Sequence, residues 1–199
     1  MRVIGLTGGI ASGKSTVSKL LMGHGLPVLD ADSIYHALLT PTDGQPSPLA
    51  ESIAAHFSGV LEADGTINRR KLGEMVFGHP EKLQLLSSLT HPAVGLGFGQ
   101  RIAELRAAGE ACAIYDVPLL FENGLEKGLD GVVVVWVPRE IQLTRLCQRD
   151  HVTRSQAEAR LASQGDLNEK RERATWVIDN SGEPASTAEQ VEALLEHLR

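Results

Sequence analysis

GLTGGIASGKST, residues 5–16, is the stretch that decides the fold we predict. From Gly8 to Ser15 it matches the pattern GxxxxGK[ST] at every fixed position. It follows a short apolar run, RVIGL (2–6), and leads into a helical pattern that starts at Lys14. Glycines let the backbone curl with its N–H groups turned inward, and the start of the helix directs its positive end to the same place. The stretch therefore predicts a phosphate-binding loop, or P-loop, for a nucleoside triphosphate.

The side chains of this loop predict a site for ATP together with Mg²⁺. Lys14 supplies a mobile positive charge for the outer phosphates, and the hydroxyl of Ser15 is a ligand for the metal. Asp116 ends the third predicted strand, where it either helps to hold Mg²⁺ through water or belongs to the following turn. The predicted ATP-binding residues of the loop are Gly8, Gly9, Ile10, Ala11, Ser12, Gly13, Lys14, Ser15 and Thr16.

Four further apolar runs predict strands. They are LPVLDAD (26–32), ACAIYDVPLLFE (111–122), GVVVVWVP (131–138) and ATWVIDNSG (174–182). Because these runs are continuous rather than alternating, they are typical of parallel strands covered on both faces. Helical patterns separate them, so we predict an α/β fold: a P-loop core with a five-stranded parallel sheet. A final helix, capped by Ser186 or Thr187, packs an apolar stripe against this core.

Two long segments interrupt the alternation of strands and helices. The segment between the second and third strands is too long for one crossover helix, and the segment 139–173 holds 8 of the 19 basic residues against 6 acidic ones. We predict an inserted helical subdomain at 33–107 and a separate helical segment at 139–173. The core then comprises residues 1–32, 108–138 and 174–199.

Composition limits the class of protein and its partners. The chain has 199 residues, of which 42% are hydrophobic, and a net charge of −6. The acidic balance argues against nucleic acid as a partner, and no apolar run approaches the length of a membrane span. Cys112 and Cys147 are expected to be buried thiols in a reducing compartment, so a cytoplasmic location is predicted. The oligomeric state stays open between a monomer and a small homo-oligomer.

The sequence lacks the motifs that mark other classes of P-loop protein, and this favours a kinase. A GTPase needs DxxG after the third strand and NKxD further on, and neither pattern occurs here. The remaining class is a compact kinase of a small molecule, which needs an acceptor pocket and a closing lid that keeps out water. We therefore predict that 33–107 is the acceptor-binding subdomain and 139–173 the lid. An ATP-binding regulator without turnover is the non-enzymatic alternative.

Asp30 and Asp32 follow the second strand in the motif LDAD. Ligands of open α/β sheets bind beyond the carboxyl ends of the strands, so Asp32 is expected to face the P-loop across the crevice. Its carboxylate either accepts or orients the proton of an attacking hydroxyl, or it caps the helix that begins with SIYHALL. The two roles are compatible.

Other charged residues leave two interpretations open. Arg145 and Arg149 lie four apart on one helical face, where they either contact phosphate or form solvated ion pairs. His91 precedes Pro92 and taken alone is most often structural. Glu122 either faces the substrate or is simply exposed.

Taken together, the motifs of the chain resemble the dephospho-coenzyme A kinase family. They occur in the order of the family and cover most of the chain: IGLTGGIASGKST, VLDAD, INRRKLGEMVF, LTHP, YDVPLLFE, QLTRLCQRD, EARLASQ and VIDNSG. The resemblance implies transfer of the γ-phosphate of ATP to the ribose 3′-hydroxyl of dephospho-CoA. A P-loop kinase of another small acceptor, such as a nucleoside, nucleotide or sugar acid, is the alternative.

By the same resemblance, particular residues receive roles. Asp32 resembles the catalytic carboxylate, Arg145 the arginine near the ATP phosphates, and Asn180 the asparagine beside the adenine. The residues that the resemblance places on the acceptor side are Arg69, His91, Pro92, Leu119 and Glu122. Two departures stand out: Ala11 replaces a frequent glycine, and GLGFGQRI (95–102) is glycine-rich for a helix, so we expect it to kink or loosen the acceptor subdomain.

Overall fold

Five strands form one sheet in the computed structural model, which describes residues 1–198. The strands are β1 (Arg2–Gly8), β2 (Val28–Asp30), β3 (Cys112–Asp116), β4 (Gly131–Trp136) and β5 (Trp176–Asp179). Their order across the sheet is β2-β3-β1-β4-β5, with parallel pairing. The predicted α/β fold with a five-stranded parallel sheet is confirmed.

Helices connect the strands, and the described chain divides into two units. The helices are α1 (Lys14–Gly23), α2 (Ala31–Leu38), α3 (Pro48–His56), α4 (Arg69–Val76), α5 (Pro80–Ala107), α6 (Arg139–Asp150), α7 (Arg154–Ala162), α8 (Leu167–Glu172) and α9 (Pro184–Leu198). The first unit comprises Met1–Leu29 and the chain from Leu105 onward, and the second comprises Asp30–Glu104. The boundaries of the predicted lid and acceptor subdomain stay predictions. In the described residues, no helix is both long and apolar enough to cross a membrane.

The core of the first unit lies on the sheet. The four consecutive valines of β4, Val132 to Val135, are all buried, which is what a parallel strand covered on both faces requires. The predicted stripe of α9 packs on the same core through Val191, Leu194, Leu195 and Leu198. The predicted cap of α9 is wrong, because the helix already begins at Pro184 and the Thr187 hydroxyl donates to Asn180 instead.

Two strands are shorter than their apolar runs. The third run extends to residue 122, but β3 ends at Asp116, as predicted for this residue, and turns begin at Pro118. A proline has no N–H to continue a ladder, so the strand stops before it. The second run extends to residue 32, but α2 already begins at Ala31, directly after β2.

The second unit is helical and has a core of its own. Ile53, Phe57 and Val60 are almost completely buried in it. The caps follow sequence rules: the side chains of Ser47 and Asn68 accept hydrogen bonds from backbone N–H groups at the starts of α3 and α4.

The glycine-rich stretch of α5 belongs to one continuous helix. Residues 95–102 are helical within Pro80–Ala107, and the expected kink or loosening stays a prediction. A Cβ atom on Gly97 would lie 3.0 Å from Cγ2 of Ile34 on α2, whereas a Cβ on Gly95 or Gly99 would meet nothing within 4 Å. Gly97 therefore permits close approach of α5 to α2, whereas Gly95 and Gly99 are not needed for it.

This difference gives a stability prediction. Gly99→Ala is expected to raise the free energy of unfolding by up to about 1 kcal/mol, because alanine is the better helix former and has space. Gly97→Ala is expected to gain less, because Ile34 must move. Urea unfolding measures both variants, and a Gly97→Ala protein more stable than Gly99→Ala would contradict the packing argument.

Candidate active site

The loop between β1 and α1 has the backbone that a phosphate cradle needs. Gly13 adopts the left-handed conformation, with φ of 90°, and no side chain caps the start of α1 among the described residues. Ala11 also has a positive φ, of 59°, a conformation that glycine adopts most readily. The first N–H groups of a helix have no partner within the helix, so at an uncapped start they are available to bind an anion.

A cavity of about 650 Å³ opens at this loop. Its lining consists of Gly8, Gly9, Ile10, Ala11, Gly13, Lys14, Ser15, Thr16, Pro118, Arg145, Arg149, Gln164, Asn180, Gly182 and Pro184. The cavity has the size of a small-molecule site and combines an uncapped helix start with a lysine and two arginines. Its residues therefore suit a polyphosphate ligand.

Lys14 and Asp116 form an ion pair across the ends of two neighbouring strands. Asp116 is the last residue of β3 and pairs in register with Leu6 of β1, whose chain continues into the loop. The side chain of Asp116 is only 6% exposed, against 20% for Lys14. The strand order changes direction here, which is where open parallel sheets bind ligands.

The residues at this edge also suit a magnesium ion. Ser15 lies at the second position of α1 and lines the cavity, and Asp116 is paired with Lys14, which precedes Ser15 in the sequence. Within residues 1–198, no group of three or more His, Cys, Asp or Glu side chains is placed to hold a metal. A Mg²⁺ ion that is bound chiefly by phosphate oxygens and water needs only one or two protein groups.

Two glutamines hold the tip of the loop. Gln164 accepts a hydrogen bond from the Ile10 N–H at 2.9 Å, and Gln142 donates to the Ile10 carbonyl oxygen at 2.9 Å. Gln142 belongs to α6, and Gln164 to the turn after α7. Sequence analysis missed both residues, because a glutamine in a helical pattern carries no signal of what it contacts.

Arg145 and Arg149 both line the cavity but differ in their partners. Arg145 donates from Nη2 to the carbonyl oxygen of Asn180 at 2.9 Å. Arg149 forms an ion pair with Asp150, with Nε 2.7 Å from Oδ1. The arginine-rich segment is therefore partly an ion-pair surface, and Arg145 is the arginine held beside the loop.

Leu119 and Glu122 lie in the turns after β3. Leu119 is 39% exposed. A carboxylate oxygen of Glu122 lies 2.7 Å from the buried Nζ of Lys170 and accepts the N–H of Gly165 at 3.2 Å. Partial burial works to raise the pKa of Glu122, but the bonds from Lys170 and Gly165 outweigh it, and the pKa is lowered. Glu122 therefore ties the turns after β3 to residues 165–170.

This ion pair predicts a pH-dependent stability. A carboxyl whose pKa is lowered by folding stabilises the protein above its ordinary value of 4.5, and this contribution is lost as the pH falls through the lowered pKa. Glu122→Gln is expected to cost about 1–2 kcal/mol at pH 7, and the difference from the wild type should vanish in acid. Urea unfolding at pH 7 and at a series of pH values falling from 4.5 tests this, with the difference shrinking along the series. Glu158→Gln, which breaks an exposed pair with Arg154, is the control and should change little at either pH.

In the second unit, Asp32 lies in the first turn of α2 and is exposed. The interpretation of Asp32 as the helix cap is wrong, because Asp30 is the N-cap: its Oδ1 accepts the Asp32 N–H at 3.0 Å. The carboxylate of Asp32 is thus not used for capping and is available for chemistry.

Arg69 lies against a histidine that sequence analysis did not select. Its Nη1 is 2.8 Å from Nε2 of His36, and His36 is one helical turn after Asp32 on the same face of α2. Burial raises the pKa of the neighbouring Tyr35, against the charge of Arg69. His91 and Pro92 are exposed residues within α5. The structure thus associates Arg69 with α2, and the roles proposed for His91 and Pro92 still depend on the sequence motif.

The fold and the loop together define a class. A GxxxxGK[ST] loop between the first strand and first helix of a parallel sheet, beside a cavity suited to polyphosphate, makes this a P-loop nucleotide-binding protein. A family model described as dephospho-CoA kinase matches residues 2–186. The chain belongs to the dephospho-CoA kinase family, and the resemblance stated from the motifs is confirmed.

Individual relatives agree with the family match. A dephospho-CoA kinase of Anaeromyxobacter dehalogenans is 47% identical over 199 residues, which are 100% of this chain and 93% of the relative. Among solved structures, the dephospho-CoA kinase from Campylobacter jejuni has a TM-score of 0.74 at 30% identity, over 98% of this chain and 96% of that one. The protein TT1252 from Thermus thermophilus has a TM-score of 0.84 at 34% identity, over 100% and 98% of the two chains.

Proposed function

We propose that this protein transfers the γ-phosphoryl group of ATP to the ribose 3′-hydroxyl of dephospho-CoA, the last step of coenzyme A synthesis. The observation that carries the proposal is the uncapped loop, which lines the cavity together with Lys14, the partner of Asp116, in a chain of the dephospho-CoA kinase family. This reaction is favoured over phosphorylation of another small acceptor because the family match extends over nearly the whole chain.

On the ATP side, the P-loop binds the phosphates, and Lys14 stabilises the negative charge that develops during transfer. The N–H groups at the start of α1 bind phosphate oxygens. Lys14 gives up its ion pair with Asp116 and contacts the phosphoryl group that is transferred. The Ser15 hydroxyl and the Asp116 carboxylate would hold Mg²⁺. That ion, when bound, neutralises charge that develops on the phosphoryl oxygens. Arg145 adds positive charge beside the loop, at a position set by its bond to Asn180.

On the acceptor side, Asp32 orients the attacking hydroxyl or accepts its proton. Its exposed carboxylate, which capping does not use, supports this role. Arg69 belongs to α4 and contacts His36 of α2, and its positive charge is suited to an anionic part of the acceptor. The acceptor-side roles of His91, Pro92, Leu119 and Glu122 are proposed because these residues lie in motifs that resemble those of the family. For Glu122 this role competes with its bond to Lys170.

The test is a coupled assay with purified protein, Mg-ATP and a panel of acceptors. ADP formation with dephospho-CoA, well above the background with ATP alone, is expected. Faster turnover with a nucleoside, a nucleotide or a sugar acid would replace the proposed acceptor. Tight ATP binding without turnover on any acceptor would favour a regulator.

A cytoplasmic location is part of the same proposal. Cys112 is buried and Cys147 half-buried, and both are free thiols, as is usual in a reducing compartment.

A further inference from the structure

A buried chain of hydrogen bonds links α9 to the P-loop. The Thr187 hydroxyl donates to Oδ1 of Asn180 at 2.8 Å, and Nδ2 of Asn180 donates to the carbonyl oxygen of Ser12 at 2.8 Å. Thr187 is completely buried, and Asn180 is 9% exposed. The contact joins residues 168 positions apart in the sequence.

The direction of these bonds fixes the orientation of the amide. The carbonyl oxygen of Ser12 can only accept, so the NH₂ group of Asn180 must face it. The Thr187 hydroxyl satisfies the amide oxygen on the other side and favours this orientation over the flipped one. An unsatisfied amide oxygen at this buried place would be costly.

The bond to Ser12 also sets the next N–H group of the loop. The Ser12–Gly13 peptide is planar and trans, so its C=O and N–H groups point in opposite directions. Anchoring the Ser12 oxygen on Asn180 directs the N–H of Gly13 away from Asn180. Gly13 lines the cavity and precedes Lys14, and a Cβ on it would lie 2.0 Å from Nδ2 of Asn180.

Asn180 also contacts Arg145, through its backbone carbonyl oxygen. The Asn180 N–H donates to the Trp136 carbonyl oxygen at 2.9 Å, and its own carbonyl oxygen accepts Nη2 of Arg145 at 2.9 Å. One residue thus holds both a peptide of the P-loop and an arginine of the cavity.

We propose that Thr187 is a positioning residue for nucleotide binding: acting through Asn180, it holds the Ser12–Gly13 peptide in the orientation that binds phosphate. The choice of ATP as the nucleotide rests on the proposed function. A Thr187 that serves only to pack α9 would behave like the other buried residues of that helix.

The experiment compares three variants of the full chain by calorimetric titration with a non-hydrolysable ATP analogue. Thr187→Val keeps the shape but removes the hydroxyl, and its Kd is expected to rise roughly tenfold. Thr187→Ser restores the donor and should stay within about twofold of wild type. Val191→Ala, which removes buried methyl groups one turn further along α9, should lower the free energy of unfolding without changing Kd.

Two further readouts separate positioning from stability. The KM for ATP should rise in Thr187→Val while kcat changes less, and the amide of Gly13 should exchange hydrogen faster. A wild-type Kd in Thr187→Val, or an equal loss in Val191→Ala, would overturn the proposal. Titration with the analogue needs no acceptor. A wild-type protein that binds the analogue but leaves dephospho-CoA unphosphorylated would therefore refute the proposed function alone.

Discussion

Replacing Lys14 with alanine is expected to lower kcat for phosphoryl transfer by about 10³-fold. The lysine brings a full positive charge to oxygens on which negative charge develops, and loss of one such donor typically costs two to three orders of magnitude. The substitution also removes the cation paired with Asp116, whose side chain is only 6% exposed. Loss of one partner of a buried pair costs about 3–5 kcal/mol of stability. Steady-state kinetics and urea unfolding measure the two effects separately.

A second substitution tests the origin of the stability loss. In Lys14→Ala with Asp116→Asn, the buried negative charge is gone, so stability should recover in part. Its kcat should stay low, because this variant also lacks the carboxylate proposed to hold Mg²⁺, so the catalytic effect of the lysine is measured in Lys14→Ala alone. Lys19→Ala, on an exposed position of the same helix, is the control and should match the wild type in both measurements. Recovery of kcat together with stability in the double variant would show that Lys14 acts only through the fold.

Asp32→Asn is expected to lower kcat by roughly 10²-fold with little change in the Kd of an ATP analogue. Asparagine keeps the shape of the side chain but neither accepts a proton nor attracts a hydroxyl as a carboxylate does, and general-base contributions are usually of at least this size. Stability should stay near that of the wild type, because Asp30 rather than Asp32 caps α2. Rapid-quench measurements of single turnovers isolate the chemical step.

Asp30→Asn is the matched control, since it removes the same charge two residues away and keeps a side chain that can cap a helix. Its turnover should stay within about twofold of the wild type. If the two asparagine variants lose activity equally, the effect belongs to the charge of this segment rather than to the carboxylate of Asp32. Full activity in Asp32→Asn would remove this residue from the mechanism.

The sheet and the P-loop were predictable because their signals are local. Four consecutive valines can be buried on both faces only in a covered strand, and GxxxxGK[ST] carries its backbone geometry in its glycines. The end of β3 at Asp116 was also predicted, and the proline two residues further on explains why the strand stops while its apolar run continues. Capping of α2 by Asp32 was one of two interpretations left open, and the N-cap is Asp30; both aspartates are suited to capping, and only the backbone conformation decides between them.

By itself, the sequence determined the class of fold, the phosphate loop and the family, because each depends on residues close together in the chain or on motif order. Tertiary structure alone decided the partners of those residues. Gln164 meets Ile10 across 154 positions, Lys14 meets Asp116 across 102, and Glu122 meets Lys170 through packing of separate segments. Such contacts leave no local pattern, because a glutamine, asparagine or threonine has the same propensity whichever distant group it bonds. The sequence thus identifies the phosphate loop, and the packing of segments far apart in the chain holds its peptides in place.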